Sequence, residues 1–265
     1  MSSTNHPRSR QRTIRAEAVV LRYSNWGEAD RLISLYAFNY GKLRAIAKGV
    51  RKPHSRKAGH LEPFTRTNLL MARGRDLYII TQAETIDAYL KIRKNLMLTT
   101  YAAYIVELLD KFLFDEEEGQ NHEMYHLLVN TLSRLGNANN PELAIRYYEM
   151  HLLGYVGFRP QLFTCTNCNE TIQAQDQFFS TSLGGAVCPN CKNQVQDSRV
   201  ISMRALKYLR HFQRSSYNEA ARAPLTSSIN AEIESIMEHY ITYHLERQLN
   251  SPRFISILRN EAGSR

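Results

Sequence analysis

No run of apolar residues in this sequence approaches the roughly 20 that a helix needs to cross a bilayer, so nothing in it reads as a membrane span. Arg8, Arg10 and Arg12 stand near the start, but no apolar stretch follows them, and a secretory signal is not the expectation. Residues 1–12 read instead as a disordered basic arm. The G-x-x-x-x-G-K-[ST] loop that would cradle a nucleotide is missing; Lys48-Gly49 and Gly59 do not complete it. G-x-S-x-G and H-E-x-x-H are missing as well. No catalytic residue is nominated, and a protein without enzymatic activity is expected. Glu28 and Asp30 are close enough in sequence to raise a metal-dependent nuclease, but no further carboxylates accompany them. A salt bridge with neighbouring Arg31 or a turn cap suits them better. His122 and His126 share an i,i+4 spacing with no third ligand in view.

Acidic residues are also scarce in one region. Residues 1–80 hold 16 Lys and Arg against 5 Asp and Glu, a net of +11, whereas residues 81–265 hold 18 against 20, a net of −2. Charge this localised marks a binding face rather than a general solubility device. Its densest part is Lys48-Gly-Val-Arg51-Lys52-Pro-His-Ser-Arg56-Lys57, with five cations and no acid. The surrounding segments alternate apolar and polar side chains or are rich in Val and Ile: 14–23, 31–38, 42–47, 64–72 and 77–83. Gly41 and the run Arg73-Gly-Arg75-Asp76 supply turns. Five short strands without an intervening long helix fit a small barrel, the oligonucleotide/oligosaccharide-binding (OB) type being the commonest candidate and an SH3-like barrel the alternative. Tyr23, Trp26, Tyr36, Phe38, Tyr40, Phe64 and Tyr78 lie among the cations. Most should be core, and any exposed ring could stack on a base while Lys and Arg hold phosphates. Nucleic acid is the expected partner, with Arg22, Lys42, Arg44, Lys48, Arg51, Lys52, Arg56, Lys57, Arg73 and Arg75 as the DNA-binding set.

From about Ala88 the apolar period becomes 3.6. Leu98 to Phe112 and Leu127 to Leu135 form helical stripes, separated by the acidic run Asp115 to Glu118, which reads as a solvated loop. Asn140-Pro141-Glu142 is a helix start, with Asn as cap and Pro in the first turn. That helix should run to about Gly154. Ser202 caps another, Ile229 to Leu245 forms the last stripe, and the polar segment Arg214 to Ser228 between them is expected to be a loop.

All four cysteines fall in two C-x-x-C pairs, Cys165/Cys168 and Cys188/Cys191. Two such knuckles suit one tetrahedral Zn(2+), better than two disulfides in a chain without a secretory signal, or a redox motif, which needs one pair only. With four thiolate ligands no position is left open for water, so the ion would be structural. Residues 161–199 carry two cations against three acids, and Zn(2+) with four thiolates adds a formal −2. Such a module is a poor phosphate binder and better suited to pinning helices or meeting a protein. The expected organisation is therefore α+β: an arm (1–12), an OB-type five-stranded barrel (13–85), an all-helical domain in two parts (86–160 and 200–260) with the four-cysteine zinc module (161–199) inserted, and a tail (261–265). A competing reading is a zinc-ribbon adaptor whose basic barrel meets an acidic protein.

Beyond these patterns, Glu17-Ala-Val-Val-Leu-Arg22, Gly27-Glu-Ala-Asp-Arg-Leu-Ile33, Gly41-Lys-Leu-Arg44, Ala47-Lys-Gly-Val-Arg51, Leu61-Glu-Pro-Phe64 and Arg73-Gly-Arg-Asp-Leu-Tyr78 occur in an order that resembles the RecO family of bacterial DNA repair proteins. Tyr104-Ile-Val-Glu-Leu-Leu109, Pro160-Gln-Leu and Tyr240 to Leu245 extend the resemblance across nearly the whole chain. It implies an OB domain, a helical domain and a zinc module, and a recombination mediator of the RecF pathway with no nucleotide hydrolysis. Single- and double-stranded DNA, RecR and the C-terminal tail of single-strand-binding protein (SSB) are the implied partners, RecA an indirect one. Strand annealing and a cytoplasmic, nucleoid-associated location follow from the same resemblance.

Overall fold

A computed structural model describes residues 13–113, 122–138, 140–245 and 249–263. Arg8, Arg10, Arg12 and the acidic run 115–118 lie outside the described residues. The described residues divide into two compact units: one takes residues 13–88 together with 122–125, the other residues 89–113 and those from His126 on.

The first unit is a closed barrel of β1 (Thr13–Trp26), β2 (Asp30–Ala37), β3 (Gly41–Ala47), β4 (Arg66–Arg73) and β5 (Tyr78–Asp87), in the order β1-β2-β3-β5-β4. All pairings are antiparallel except β3 with β5, where Ala45 and Ile46 face Tyr78 and Ile79. To make that parallel contact the chain must leave β3, place β4 beyond β5, and return. This is the Greek-key closure of the OB type, which alternation alone could not separate from other small barrels. β1 serves both neighbours: Thr13 to Val19 pair with β4 and Ala18 to Trp26 with β2, the register shifting between Val20 and Arg22. A bulge there bends the strand and closes the sheet. The interior is filled by Ala16, Ala18, Val20, Ile33, Leu35, Ala37, Ala45, Ala47, Leu69, Met71 and Ile80. The small alanines suit a barrel only five strands wide.

The second unit contains α1 (Leu90–Arg93), α2 (Leu96–Phe112), most of α3 (His122–Asn137), α4 (Pro141–Tyr155), α5 (Met203–Arg214), α6 (Tyr217–Ala220), α7 (Ser227–Leu245) and α8 (Ser251–Gly263). Asn140 Oδ1 accepts from Leu143 N and Ser202 Oγ from Ala205 N, each at 3.1 Å, so both sequence caps act as caps. The segment 214–228 departs from the loop expectation. Ser216 and Glu219 form a reciprocal capping box that starts α6 within it. Two buried charges lie in this unit: Arg146 on α4 is 3% exposed and Glu149 0%, paired at 3.0 Å. Between α4 and α5 a small sheet, β7 (Gly185–Val187), β6 (Gln177–Ser180) and β8 (Ser198–Ile201), carries the cysteine segment.

Candidate nucleic-acid interface and metal centre

On β3, Lys42, Arg44 and Ile46 follow one another at every second position and share the outer face while Ala45 and Ala47 point inward, and Lys48 stands just past the strand end. Arg22 on β1 and Arg44 on β3 both register with Ser34 on β2, which puts these two cations in one row across the sheet. Beside that face runs a groove of about 660 Å³, lined by Trp26, Lys42, Leu43, Arg44, Ile46 and Lys48 on one side and by Gly74 to Ile79 on the other. The β3 surface together with the β1–β2 and β4–β5 turns is where OB barrels take oligonucleotides and oligosaccharides. The turn carrying Arg73 and Arg75 is fixed by Gly74, whose N–H donates to Leu77 O at 3.0 Å. A Cβ on Gly74 would collide with that same carbonyl. A second cleft, about 580 Å³, is lined by Lys48, Lys52, His54, Arg56, Lys57 and their neighbours. Lys48 belongs to both, so the two concavities form one cationic surface.

The basic loop is anchored rather than loose. Gly49 N donates to Asp30 Oδ1 at 2.7 Å, Arg51 N to Ala29 O at 2.9 Å, and Arg51 Nη1 to Gly27 O at 3.2 Å. Asp30 is therefore a turn cap, and Arg31 pairs with Glu62 at 3.0 Å instead. Among the described residues no carboxylate group gathers around Glu28 and Asp30 to hold an ion. His122 stacks on Phe38 with centroids 4.1 Å apart.

The ten cations nominated from sequence are not equivalent. Arg22, Arg44, Lys48, Arg51, Lys52, Arg56, Arg73 and Arg75 are exposed. Lys42 is only 8% exposed, although it lines the groove. Lys57 is half-buried, and its ammonium donates to Ile80 O at 3.0 Å. Burial lowers its pKa against the opposing pull of Asp30. Lys42 and Lys57 are thus less open to a phosphate than the other eight, Lys57 because its ammonium ends on a carbonyl of β5. Sequence reasoning left Trp26 out of the site. It is 50% exposed in the groove. Its place at the end of β1, just before a turn at Gly27 with φ of 57°, was the available signal.

In the helical unit the four cysteine sulfurs lie within 4.8 Å of one another, and none is in a disulfide. Four thiolates held tetrahedrally about 2.3 Å from one zinc would stand about 3.8 Å apart, and Cys168 Sγ to Cys188 Sγ is 3.8 Å. The first knuckle is a tight turn, with Asn169 N donating to Cys165 O at 2.9 Å and Asn169 itself at φ 64°. In the second, Cys191 N donates to Cys188 O at 3.0 Å, opening a 3-10 turn over Pro189–Gln194. Burial opposes ionisation of Cys165, but the backbone amides of Cys168, Cys188 and Asn167 outweigh it and bring the thiol down to about 6. Cys168, Cys188 and Cys191 shift the other way, with neighbouring thiols of the quartet among the causes, so without an ion at most one thiolate is favoured here and the case for a metal rests on the geometry. The donor set and spacing therefore fit a divalent soft ion, which would hold the two knuckles together. Around it the module is tied into the helices: Phe179 packs edge-on against Tyr240 of α7 at 5.3 Å, and Arg210 of α5 donates twice to Leu162 O.

A five-stranded OB-type barrel with a cationic groove, joined to helices that carry a cluster of four cysteines able to hold a metal ion, defines the class. Residues 11–89 match the family described as Recombination protein O N terminal, and residues 93–253 match Recombination protein O C terminal. The chain belongs to the RecO family of DNA repair and recombination proteins. It is 37% identical to the DNA repair protein RecO of Roseiflexus sp. over 250 residues, which is 94% of this chain and 87% of the relative. It is 35% identical to that of Dehalococcoides mccartyi over 246 residues, 93% of this chain and 96% of the relative. With the RecO of Thermoanaerobacter sp. identity is 33% over 250 residues, 94% of this chain and 99% of that protein. No described helix is long and apolar enough to cross a membrane.

Proposed function

We propose that this protein is a recombination mediator that binds single- and double-stranded DNA on its barrel and anneals complementary strands without nucleotide hydrolysis. With RecR it would help RecA replace SSB on single-stranded DNA, contacting the SSB C-terminal tail, as a cytoplasmic, nucleoid-associated protein. The observation that carries this reading is the cationic surface shared by the groove and the basic loop, with Lys48 common to both. Two strands repel because each is a polyanion, and a surface that neutralises phosphates of both lowers that repulsion without reading sequence. Lys48, Lys52, Arg56 and Arg75 would hold phosphates, with Arg22, Arg44, Arg51 and Arg73 beside them. The cysteine quartet would hold one structural Zn(2+) and leave the DNA to the barrel.

The test is annealing of two complementary oligonucleotides, each coated with SSB, without ATP or magnesium and across a salt series. Acceleration over spontaneous pairing that fades with salt is expected. DNA binding without acceleration would leave a DNA-binding adaptor. No salt-sensitive binding to naked DNA would turn the barrel toward an acidic protein partner instead.

A further inference from the structure

Seven aromatic rings are interleaved with the barrel's cations, and their surroundings differ. Tyr36 is 2% exposed and Phe64 8%. Phe38 lies between the rings of His122 and Tyr125. Tyr23 is capped by the guanidinium of Arg31, 3.7 Å from its centroid. Tyr40 and Tyr78 pack partly against the barrel core. Trp26 alone of the seven stands half in solvent, at 50% exposure. Of the seven, Trp26 is the ring that offers a large part of its surface to a ligand.

The backbone holds Trp26 in place. It is the last residue of β1, paired with Asp30, and the turn that follows is clamped by the Asp30 and Arg51 hydrogen bonds to the basic loop. Across the groove lie Leu77, Tyr78 and Ile79, with Arg44, Lys48 and Arg75 around the margin against Asp76 as the acid. At about 660 Å³ the groove falls in the range of small-ligand sites, about 300–1,000 Å³. A flat apolar wall edged by cations is complementary to a nucleotide whose base is out of its helix: ring on ring, phosphates on cations. A base inside a duplex is stacked on both faces and cannot offer one to Trp26.

We propose, resting on the nucleic-acid reading above, that Trp26 is a base-stacking residue and that this groove takes unpaired nucleotides of a single strand. Duplex is then held through its phosphates alone, by the exposed cations of the basic loop. Annealing on such a surface would keep bases of one strand unpaired and splayed until the second strand arrives.

Trp26 is the sole tryptophan of the chain, so its emission reports on this groove and no other site. The full-length protein is titrated with an end-labelled oligothymidylate, with an abasic deoxyribose-phosphate strand of equal length, and with a blunt duplex. Label anisotropy reports binding, and tryptophan emission reports stacking. All three ligands should raise the anisotropy, and the thymidine strand alone should quench the emission strongly. Trp26→Ala should weaken the thymidine strand by roughly tenfold and leave the abasic strand unchanged, while Trp26→Phe retains most of the affinity. The half-exposed position makes both variants compatible with folding, which a urea midpoint checks. If the thymidine strand binds without quenching, or Trp26→Ala binds it as well as the parent, the base-stacking role is wrong while the nucleic-acid reading stands. A duplex that quenches as fully as the single strand overturns the preference for unpaired bases. If no strand changes the anisotropy, the nucleic-acid reading itself fails and Trp26 with it.

Discussion

In the barrel unit Lys48, Lys52, Arg56 and Arg75 stand exposed on turns and a strand end, whereas in the helical unit Arg146 and Glu149 are enclosed and face each other at 3.0 Å. The same kinds of side chain are used to opposite ends. A cation in water keeps its hydration and contributes little to stability, but its field remains available to a polyanion. The buried cation of α4, Arg146, has lost its hydration, and the acids around it take the place of water. Glu149 accepts from Tyr104 at 2.6 Å, Arg146 reaches Glu234 at 3.6 Å, and Arg259 of α8 bridges Glu142 and Glu234 at 2.9 and 2.7 Å. That network links α2, α4, α7 and α8. The sequence-wide imbalance of +11 against −2 follows: one region displays charge, and the other balances it internally.

The sharpest break between the two units should come from removing the ion that the four cysteines would hold. Structural zinc contributes about 10–16 kcal/mol of apparent binding free energy in small modules at neutral pH. Chelation should therefore unfold the 161–199 segment, seen as new amide exchange there, while barrel binding to DNA persists. Loss of DNA affinity in step with loss of metal would mean that the module belongs to the DNA surface after all.

Next in size is the buried pair. Glu149→Ala leaves Arg146 without its nearest acid and should cost about 3–5 kcal/mol in urea unfolding. The folded fraction should bind DNA as before. Glu149→Gln is milder, since the amide oxygen can still accept from Tyr104, and it isolates the pH dependence. Burial pushes the Glu149 carboxyl up to about 7 from 4.5, against the pull of Arg146 and the Tyr104 hydrogen bond. Between those values the folded state holds a proton that the unfolded chain sheds. This contribution is thus complete below about 4.5 and is lost as pH rises through about 7. The parent should lose more stability between pH 5 and 8 than Glu149→Gln does. Parallel profiles for the two would deny Glu149 that role.

Replacing Lys48, Lys52, Arg56 and Arg75 together by Ala attacks the other side of the comparison. Four single-strand phosphate contacts should reduce the log–log salt slope by about 3 and the affinity at moderate salt by roughly 100-fold. Each surface substitution should shift stability by less than about 0.5 kcal/mol. An unchanged slope would place the DNA site elsewhere on the molecule.

Much of this was legible in the residues because local patterns decide it. A barrel wall has one dry face, so Lys42 to Ala47 had to alternate. A helix beginning at Pro141 needs an acceptor before it, and Asn140 supplies one. Two C-x-x-C turns have few uses other than sharing an ion. The illegible parts depend on partners distant in sequence or on elements too short to show a period. β6, β7 and β8 have only three or four residues each, and α6 has four, set by one capping box. The N-terminus of α8 is capped by Glu107, which accepts from Asn250 N and Ser251 N across more than 140 residues of chain. Trp26 was visible as one aromatic among seven, but which ring stays uncovered is settled by what folds over the others.

Lys57 is the smallest and most discriminating case, because it belongs to the basic run yet behaves like the helical unit's charges. Its ammonium ends on Ile80 O, and burial lowers its pKa despite Asp30. Lys57→Met keeps the apolar stem and removes the charge, leaving that carbonyl without its donor. The expected cost is about 1 kcal/mol of stability, with little change in salt slope. Arg56→Ala, one residue earlier and exposed, should do the reverse: no measurable stability loss and a slope lower by about 0.7 for single strands. If the two variants shift the slope equally and neither moves the urea midpoint, Lys57 is a phosphate ligand held ready by Ile80 rather than a strut. The line between displayed and enclosed charge would then run beneath the whole basic loop, not through it.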